Sequence, residues 1–522
     1  MGAGRWLPAA VLLLAGCASL PKDVQRPVSA ALDHPESTTL GQLIAHKRPD
    51  AVRQDRSGFA LLASPNMAYA GRLALTEQAG KTLDIQYYAI HVDPTVRSLL
   101  RAVRAAARRG VRVRILLDDF NSVGRDAQVM RMAGVPGVQM RMFNPLPGSR
   151  GAGLWRTLGS LNDFQRIQHR MHNKLYVADN AWGIIGGRNL GDAYFGTAAG
   201  SNFIDMDVLA AGPVVRDISA SFDRYWNSSL AYPVASLITP EELKRLRETA
   251  SPRAATADGG GDDGAATRPA AEAPDLPPAL DLAALPLTWA PAGLLVDSPL
   301  KLMPADDDTR VEGAVIEGLL SLLSRAQHDV VIVSPYFVPG PQMMALFADL
   351  KTRGVRVRVL TNSLASTDAL LAQIGYARHR EQLLRLGLEL YETRARARAR
   401  LRDTVLGSDS KGTHASLHAK LVIVDGRIIS IGSMNLDLRS KLQNSEIALV
   451  IRSPALARQA GEQVQAVIDA AAWKVELTPD GALRWQAPPK ARPIEVAHDP
   501  DTSLWLRFLA KLLAPLTPDE ML

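Results

Sequence analysis

The pattern His-x-Lys-x4-Asp occurs twice in this chain, as His172-Asn-Lys174-Leu-Tyr-Val-Ala-Asp179 and as His418-Ala-Lys420-Leu-Val-Ile-Val-Asp425, 246 residues apart. Each copy continues alike, into Gly186-Gly-Arg-Asn189 and Gly432-Ser-Met-Asn435, and an acid follows in each half, Asp205 and Glu446. Random placement would give roughly 0.02 matches in such a chain, so two in register mark shared chemistry. Imidazole is the side chain able to act as nucleophile or proton donor near neutral pH. Lysine supplies a fixed positive charge, asparagine supplies amide donors, and glycine lets the backbone come close. The constellation is therefore prepared for an anion. A downstream acid can hold the imidazole N–H and fix its tautomer.

Strands and helices must hold these groups. His and Lys at i and i+2 of a strand would share one face, with the apolar residues 175–178 and 421–424 buried behind them. Thr82–Tyr88 reads as a strand, and Arg97–Arg109 has the apolar spacing of a helix ended by Gly110. Val111–Leu117 then alternates as a second strand. The second half repeats this order with a strand at Asp329–Tyr336, a helix at Met343–Arg353, Gly354 and a strand at Val355–Leu360. Gly110-VRVRIL and Gly354-VRVRVL lie 244 residues apart, which makes the duplication domain-sized. Strand–helix–strand order predicts an α/β fold with a parallel or mixed sheet in each half.

The 522 residues, 47% hydrophobic and 22% charged, exclude a disordered chain, a collagen-like fibre and a polytopic membrane protein. A net charge of +7 is a mild bias compatible with an anionic partner, phospholipid or nucleic acid. The single cysteine excludes an intramolecular disulfide and a multi-cysteine zinc site. That cysteine, Cys17, ends a segment with one basic residue, Arg5, about ten apolar residues and the tetrad Leu14-Ala15-Gly16-Cys17. The tetrad resembles the lipobox of bacterial lipoproteins, and the expectation is a signal segment over 1–17 with lipidated Cys17. Ala18 in place of Asp favours the periplasmic face of the outer membrane over the inner membrane. The domain expectation is a Pro-containing tether over 18–55, a first domain over 56–245, a flexible linker over 246–290, a second domain over 291–480, and a tail over 481–522 with an amphipathic helix.

The paired motifs resemble the phospholipase D superfamily, whose two halves form one active site at their interface. Ser57-Gly-Phe59, Asp84–Tyr88, Leu116–Asp119, Arg170–Lys174, Gly186–Phe195 and Phe222–Trp226 look like the bacterial cardiolipin synthase C branch. The resemblance implies two phospholipase D-like α/β/α sandwich domains packed around a shared site, acting without metal or cofactor. It implies a phosphatidyltransferase that forms cardiolipin from phospholipids in the membrane, with His172 attacking phosphorus and His418 serving as acid and then base. Lys174, Lys420, Asn189 and Asn435 would stabilise the phosphoryl oxygens, with a further hydroxyl from Ser433. Asp205 and Glu446 would orient the imidazoles. Asp179 and Asp425 complete the motifs, but an odd spacing on a strand turns them away from the histidines, and they read as structural supports. Arg188, Arg439 and Trp155 are the candidate substrate-binding residues. Hydrolysis to phosphatidic acid and a periplasmic nuclease activity are the alternatives; a nuclease needs a continuous basic groove, and no nucleic acid is expected.

Three weaker features remain. Leu154 and Trp155, in a basic loop from Arg150 to Arg156, could dip into a bilayer or simply anchor a loop. Arg394–Arg402 carries five arginines in nine residues, a lipid-facing stripe if extended. Trp505, Phe508, Leu509, Leu512 and Leu516 have helical spacing with Arg507 and Lys511 on another side, fitting either an interfacial helix or one docked on its own domain.

Overall fold

The computed structural model describes residues 20–120, 124–147, 164–249, 275–303, 313–395, 414–488 and 494–517. Two sheets carry the fold. The first has nine strands in the order Ala231–Pro233, Val138–Phe143, Arg112–Asp118, Thr82–Tyr87, Leu175–Ala178, Trp182–Gly186, Asp207–Ala211, Ser57–Leu62 and Thr288–Ala290. The second has ten, and seven of them repeat this order: Glu389–Thr393, Arg356–Asn362, Asp329–Val333, Leu421–Val424, Ile428–Gly432, Ile447–Arg452 and Ala292–Val296. In each half three strands run parallel and the motif strand joins them antiparallel. The duplication read from sequence is thus a duplication of topology.

Period-two alternation in the motif strands decides which face meets what. Leu175 and Val177 of the first, with Leu421 and Ile423 of the second, belong to one apolar core that runs continuously between the halves. Tyr176 and Ala178 face the outer core of the first half, and Val422 and Val424 that of the second. Helices Pro213–Trp226 and Pro454–Ala471 contribute Ile218, Phe222, Leu456 and Val464 to the shared core. Helix Pro94–Arg108 is capped by the Asp93 carboxylate accepting from Val96 N, and Gly110, at φ 93°, turns the chain out of it. The result is layered sheets and helices with a buried interface, as the resemblance implied.

The domain boundaries differ from the sequence reading at three places. Residues expected as a tether bind the first half: Ala31 N donates to Asp223 at 2.7 Å, and Arg114 donates to the Ser29 carbonyl at 3.1 Å. Helix Thr39–Lys47 then buries Leu40 and Ile44 in the outer core. A pair of apolar residues at i and i+4 suffices to dock it, and the surrounding prolines and polar residues mask that signal. Of the expected linker, 250–274 lies outside the described residues. Residues 275–290 pack on the first half, with Leu282 buried and Thr288–Ala290 paired to Ser57–Phe59. Only Pro291 separates this edge strand from Ala292–Val296, at the edge of the second sheet. The expected tail adds strands Leu483–Gln486 and Glu495–Val496 to the second sheet before helix Leu504–Leu513.

Candidate active site

Two short parallel ribbons cross between the halves and place the reactive groups. Arg170–Met171 pairs with Asn444–Ser445, and Ser201–Ile204 pairs with His414–Leu417. The residue after each ribbon strand is a histidine or an acid. The ladder continues through His172 N to the Ser445 carbonyl at 2.9 Å and His418 N to the Ile204 carbonyl at 2.8 Å. Parallel pairing therefore sets His172 beside Glu446 and His418 beside Asp205. Each histidine is held by the acid of the other half, a crossing that order along the chain does not indicate. His172 Nδ1 lies 3.0 Å from both Glu446 carboxylate oxygens, and His418 Nδ1 lies 2.8 Å from Asp205 Oδ2. All four side chains are buried.

The motif residues 172–174 and 418–420 are not regular strand; they bridge the ribbon to the motif strand. Each lysine folds back, with Lys174 Nζ 2.6 Å from the His172 carbonyl and Lys420 Nζ 2.6 Å from the His418 carbonyl. Lys420 Nζ also stands 3.1 and 3.4 Å from the two ring nitrogens of His418. The Lys174 ammonium faces the Tyr88 ring at 5.6 Å, and Tyr88 meets His172 edge-on at 5.1 Å. Tyr194 and Phe203 flank His418 at 5.2 and 5.0 Å.

Burial sets the electrostatics. It pushes the His172 imidazole down to about 4, against the pull of Glu446, and it lowers His418 with help from the Lys420 charge. Burial also lowers both lysines, Lys174 strongly. Burial alone would raise the two carboxylates, but His172 charge and hydrogen bonding hold Glu446 below its usual value, and the bond to His418 takes Asp205 down to about 2. At neutral pH the site thus holds ionised acids and neutral imidazoles. With Nδ1–H directed at an acid, the Nε2 lone pair of each ring is left for chemistry. The two buried lysines, each under the charges of Glu446 and Asp205, complete a site whose positive groups a phosphodiester would engage.

Other predicted residues fall into distinct roles. Asn435 is buried with its Oδ1 unpartnered among the described residues, whereas Asn189 accepts from Ala89 N at 3.3 Å and donates to the Tyr194 hydroxyl at 3.0 Å. The Ser433 hydroxyl donates to Glu446 Oε2 at 2.5 Å, so it orients the acid, which corrects its expected role on the phosphoryl group. Arg188 is not available to substrate either. It is fully buried, donating to the carbonyls of Tyr194, Leu62 and Asp205 and pairing with Asp207 at 3.4 Å. A guanidinium with every arm engaged is a brace. Asp179 accepts from the backbone N–H of Gly80, Lys81 and Thr82 at 2.7–2.8 Å, and Asp425 does the same for Gln327, His328 and Asp329. In each half the carboxylate thus ties the turn after the motif strand to the start of the neighbouring strand. Arg439 is half-buried in helix Leu438–Leu442, beside the buried Asp437 carboxyl, which desolvation raises to about 6 against hydrogen bonds from Ser440 and, to a lesser degree, the Arg439 charge. Cys17, Trp155 and Arg396–Arg402 lie outside the described residues. Arg394 stands over the Trp473 ring at 4.5 Å and 3.7 Å from Asp501.

Sequence reasoning missed the groups that set the residue before each histidine. Asp118 Oδ2 accepts from Met171 N at 2.9 Å while pairing with Arg170 at 3.2 Å. Asn362 Oδ1 accepts from Leu417 N at 2.8 Å and its amide donates to the Leu417 carbonyl at 2.9 Å. They occupy equivalent ends of the repeated strands Arg112–Asp118 and Arg356–Asn362, and that shared position was the available signal. Tyr336 and Asp368 were also missed. The tyrosine hydroxyl lies 2.9 Å from both Asp368 oxygens, whose charge reaches His418 and Lys420.

Comparison with known proteins agrees with this geometry. The family described as "Cardiolipin synthase, PLD-like domain" matches residues 73–226 and 319–468, one segment in each half. The chain is 37% identical to cardiolipin synthase C of Escherichia coli over 463 residues, 87% of this chain and 94% of that protein. It is 31% identical to an uncharacterized protein of Helicobacter pylori over 93% of both chains. Among solved structures, phosphatidylserine synthase of Haemophilus influenzae superposes with a TM-score of 0.55 at 14% identity, covering 93% of this chain and 99% of that one.

Proposed function

Because this chain belongs to the cardiolipin synthase family with phospholipase D-like domains, we propose that it transfers a phosphatidyl group from one phospholipid to the hydroxyl of another, forming cardiolipin. The observation that carries the mechanism is the crossed pair of buried histidine–acid contacts flanked by two lysines. His172 Nε2 attacks phosphorus, the P–N bond forms, and the P–O bond to the headgroup alcohol breaks. His418 gives that oxygen its proton. The acceptor hydroxyl then attacks the phosphohistidine, loses its proton to His418, and the P–N bond breaks to restore His172. The phosphodiester charge supplies the counter-charge that lets His418 carry a proton in a site that otherwise keeps it neutral. The P–N bond of the covalent intermediate retains most of the energy of the P–O bond it replaces, so exchange needs no nucleotide.

The acceptor we propose is a phospholipid with a free glycerol hydroxyl, such as phosphatidylglycerol. Water is far more concentrated than any alcohol, and transfer dominates only where the acceptor is held and water excluded. The test is the product ratio from purified protein on defined vesicles, read by mass spectrometry. Cardiolipin should dominate when phosphatidylglycerol is present; phosphatidic acid as the main product throughout would make the protein a hydrolase.

For location we propose a lipoprotein acylated at Cys17 on the periplasmic face of the outer membrane, supported by the Leu14–Cys17 tetrad and Ala18. Among the described residues no helix is long and apolar enough to cross a membrane. Palmitate labelling should be lost in Cys17→Ser, and recovery of the wild type in the inner-membrane fraction would overturn the sorting assignment.

A further inference from the structure

Helix Leu504–Leu513 has two apolar faces, where docking on its own domain requires one. It packs on helix Leu370–Arg385, and Leu506, Leu509 and Leu513 are half-buried. Arg378 of that neighbouring helix donates to the Thr517 carbonyl just beyond the end. On the other side Leu504 is 80% exposed, Trp505 68%, Phe508 55% and Leu512 56%. Positions 504, 508 and 512 recur every four residues and 505 lies beside them, so the four form one stripe. Trp505 and Phe508 cluster with ring centroids 5.7 Å apart. The helix contains Arg507 and Lys511 and no acidic residue. One face meets the docked option that the sequence raised, and the other is left exposed.

The free stripe has a definable occupant. Four partly exposed side chains offer on the order of 500 Å², against the roughly 800 Å² that one partner of a stable protein interface buries. A second copy of the chain is thus a poor fit. Large apolar side chains headed by a tryptophan, with only cations among the charged residues of the helix itself, fit the boundary between headgroups and acyl chains of an anionic leaflet. The helix is also placed to matter. Its neighbour, Leu370–Arg385, begins two residues after Asp368, whose charge reaches His418. Arg378 lies about 10 Å along that helix from its first turn, at roughly 1.5 Å per residue. Leu371, in that first turn, is itself an exposed apolar residue.

We propose that helix Leu504–Leu513 is a membrane-docking element that seats on anionic phospholipid and holds the His418 side of the cleft against the leaflet. The docking stands on the helix alone; its consequence for turnover rests on the phosphatidyltransferase reading. The test uses the full chain on vesicles of phosphatidylglycerol and phosphatidylethanolamine containing a phospholipid with a photoactivatable diazirine near the acyl carbonyl. Peptide mapping after illumination should find label within 504–513, several-fold reduced on purely zwitterionic phosphatidylcholine vesicles. The triple variant Trp505→Ser, Phe508→Ser, Leu512→Ser should lose that label and lower vesicle turnover at least about fivefold, with turnover of a monomeric short-chain substrate unchanged. Unchanged short-chain turnover also shows that the variant is folded. Absence of label in 504–513 of the wild type overturns the proposal. So does crosslinking of this segment between two copies without lipid, which would assign the stripe to self-association. Label without cardiolipin formation would leave docking in place and remove the catalytic reading.

Discussion

The two half-sites solve one problem with different residues. In the second half Ser433 donates to Glu446, which reaches across to His172. In the first half the equivalent of Ser433 is Gly187, and the equivalent of Glu446 is the shorter Asp205, which reaches His418. A Cβ at Gly187 would stand 2.7 Å from Asp205 Oδ1 and 3.0 Å from the His418 carbonyl. An aspartate is one methylene closer to its backbone, so its carboxylate occupies the space that a serine fills opposite a glutamate. Each acid and the small residue beside it form a matched set. The lysines differ too: Lys420 lies over its own histidine, whereas Lys174 is turned toward Tyr88. Both rings carry a carboxylate at Nδ1, but among the described residues only His418 has a lysine ammonium within hydrogen-bonding distance of its nitrogens, which leaves His172 the better nucleophile. His418, under an ammonium, passes a proton on more readily.

The largest effects should come from breaking the crossing. Glu446→Gln should slow formation of the phosphoenzyme, and Asp205→Asn should slow proton transfer at His418, each by about 10²–10⁴-fold. Single-turnover kinetics separates the two steps; if each acid served the histidine of its own half, the phenotypes would exchange. Next comes the matched set. Gly187→Ser should cost about 10²-fold in turnover by displacing Asp205, while Ser433→Gly, which removes one hydrogen bond from Glu446, should cost about tenfold. Equal losses would mean the two sets are interchangeable.

The motif aspartates make a third contrast, in stability. Asp179 is fully buried under three backbone donors, whereas Asp425 holds Gln327 and His328 near the surface. Asp179→Ala should destabilise by about 2–4 kcal/mol and Asp425→Ala by about 1 kcal/mol, read by denaturant unfolding. The smallest effect is pH dependence. His172 titrates near 4 when folded and about 6.5 when unfolded, so the unfolded chain binds more protons between those values. Stability from this group is complete above about pH 6.5 and is lost as pH falls toward 4, by up to about 1.4 kcal/mol per unit. The melting temperature of His172→Asn should fall a few degrees less than that of the wild type between pH 7 and 4.5.

What the sequence made legible follows from repetition and period. The repeated VRVR strands and the two motifs disclosed the duplicated α/β fold, and the unbroken apolar runs at 175–178 and 421–424 disclosed buried segments. The spacing that sets Asp179 and Asp425 apart assumes one strand, whereas each sits in a turn just past its motif strand, at φ 53°. What stayed hidden depends on contacts between distant segments. The exchange of Asp205 and Glu446 arises from two ribbons of two and four residues, too short to leave a pattern. Arg188 resembles an anion ligand until Asp205, Asp207 and Tyr194 are seen to consume its donors. Asp118 and Asn362 act on main-chain atoms far along the chain, and only their matching places in the repeat mark them. Helix Thr39–Lys47 docks through two residues amid a polar stretch, below what composition can register.

The central claim is that two histidines from different halves share one reaction, with His172 as the nucleophile. It is tested most directly by trapping the intermediate. His418→Asn, given phospholipid labelled in the phosphatidyl group and quenched early, should accumulate label that peptide mapping assigns to His172, and His172→Ala should carry none. Label on His418 in the His172 variant, or its absence from His172 when His418 is replaced, would contradict the account.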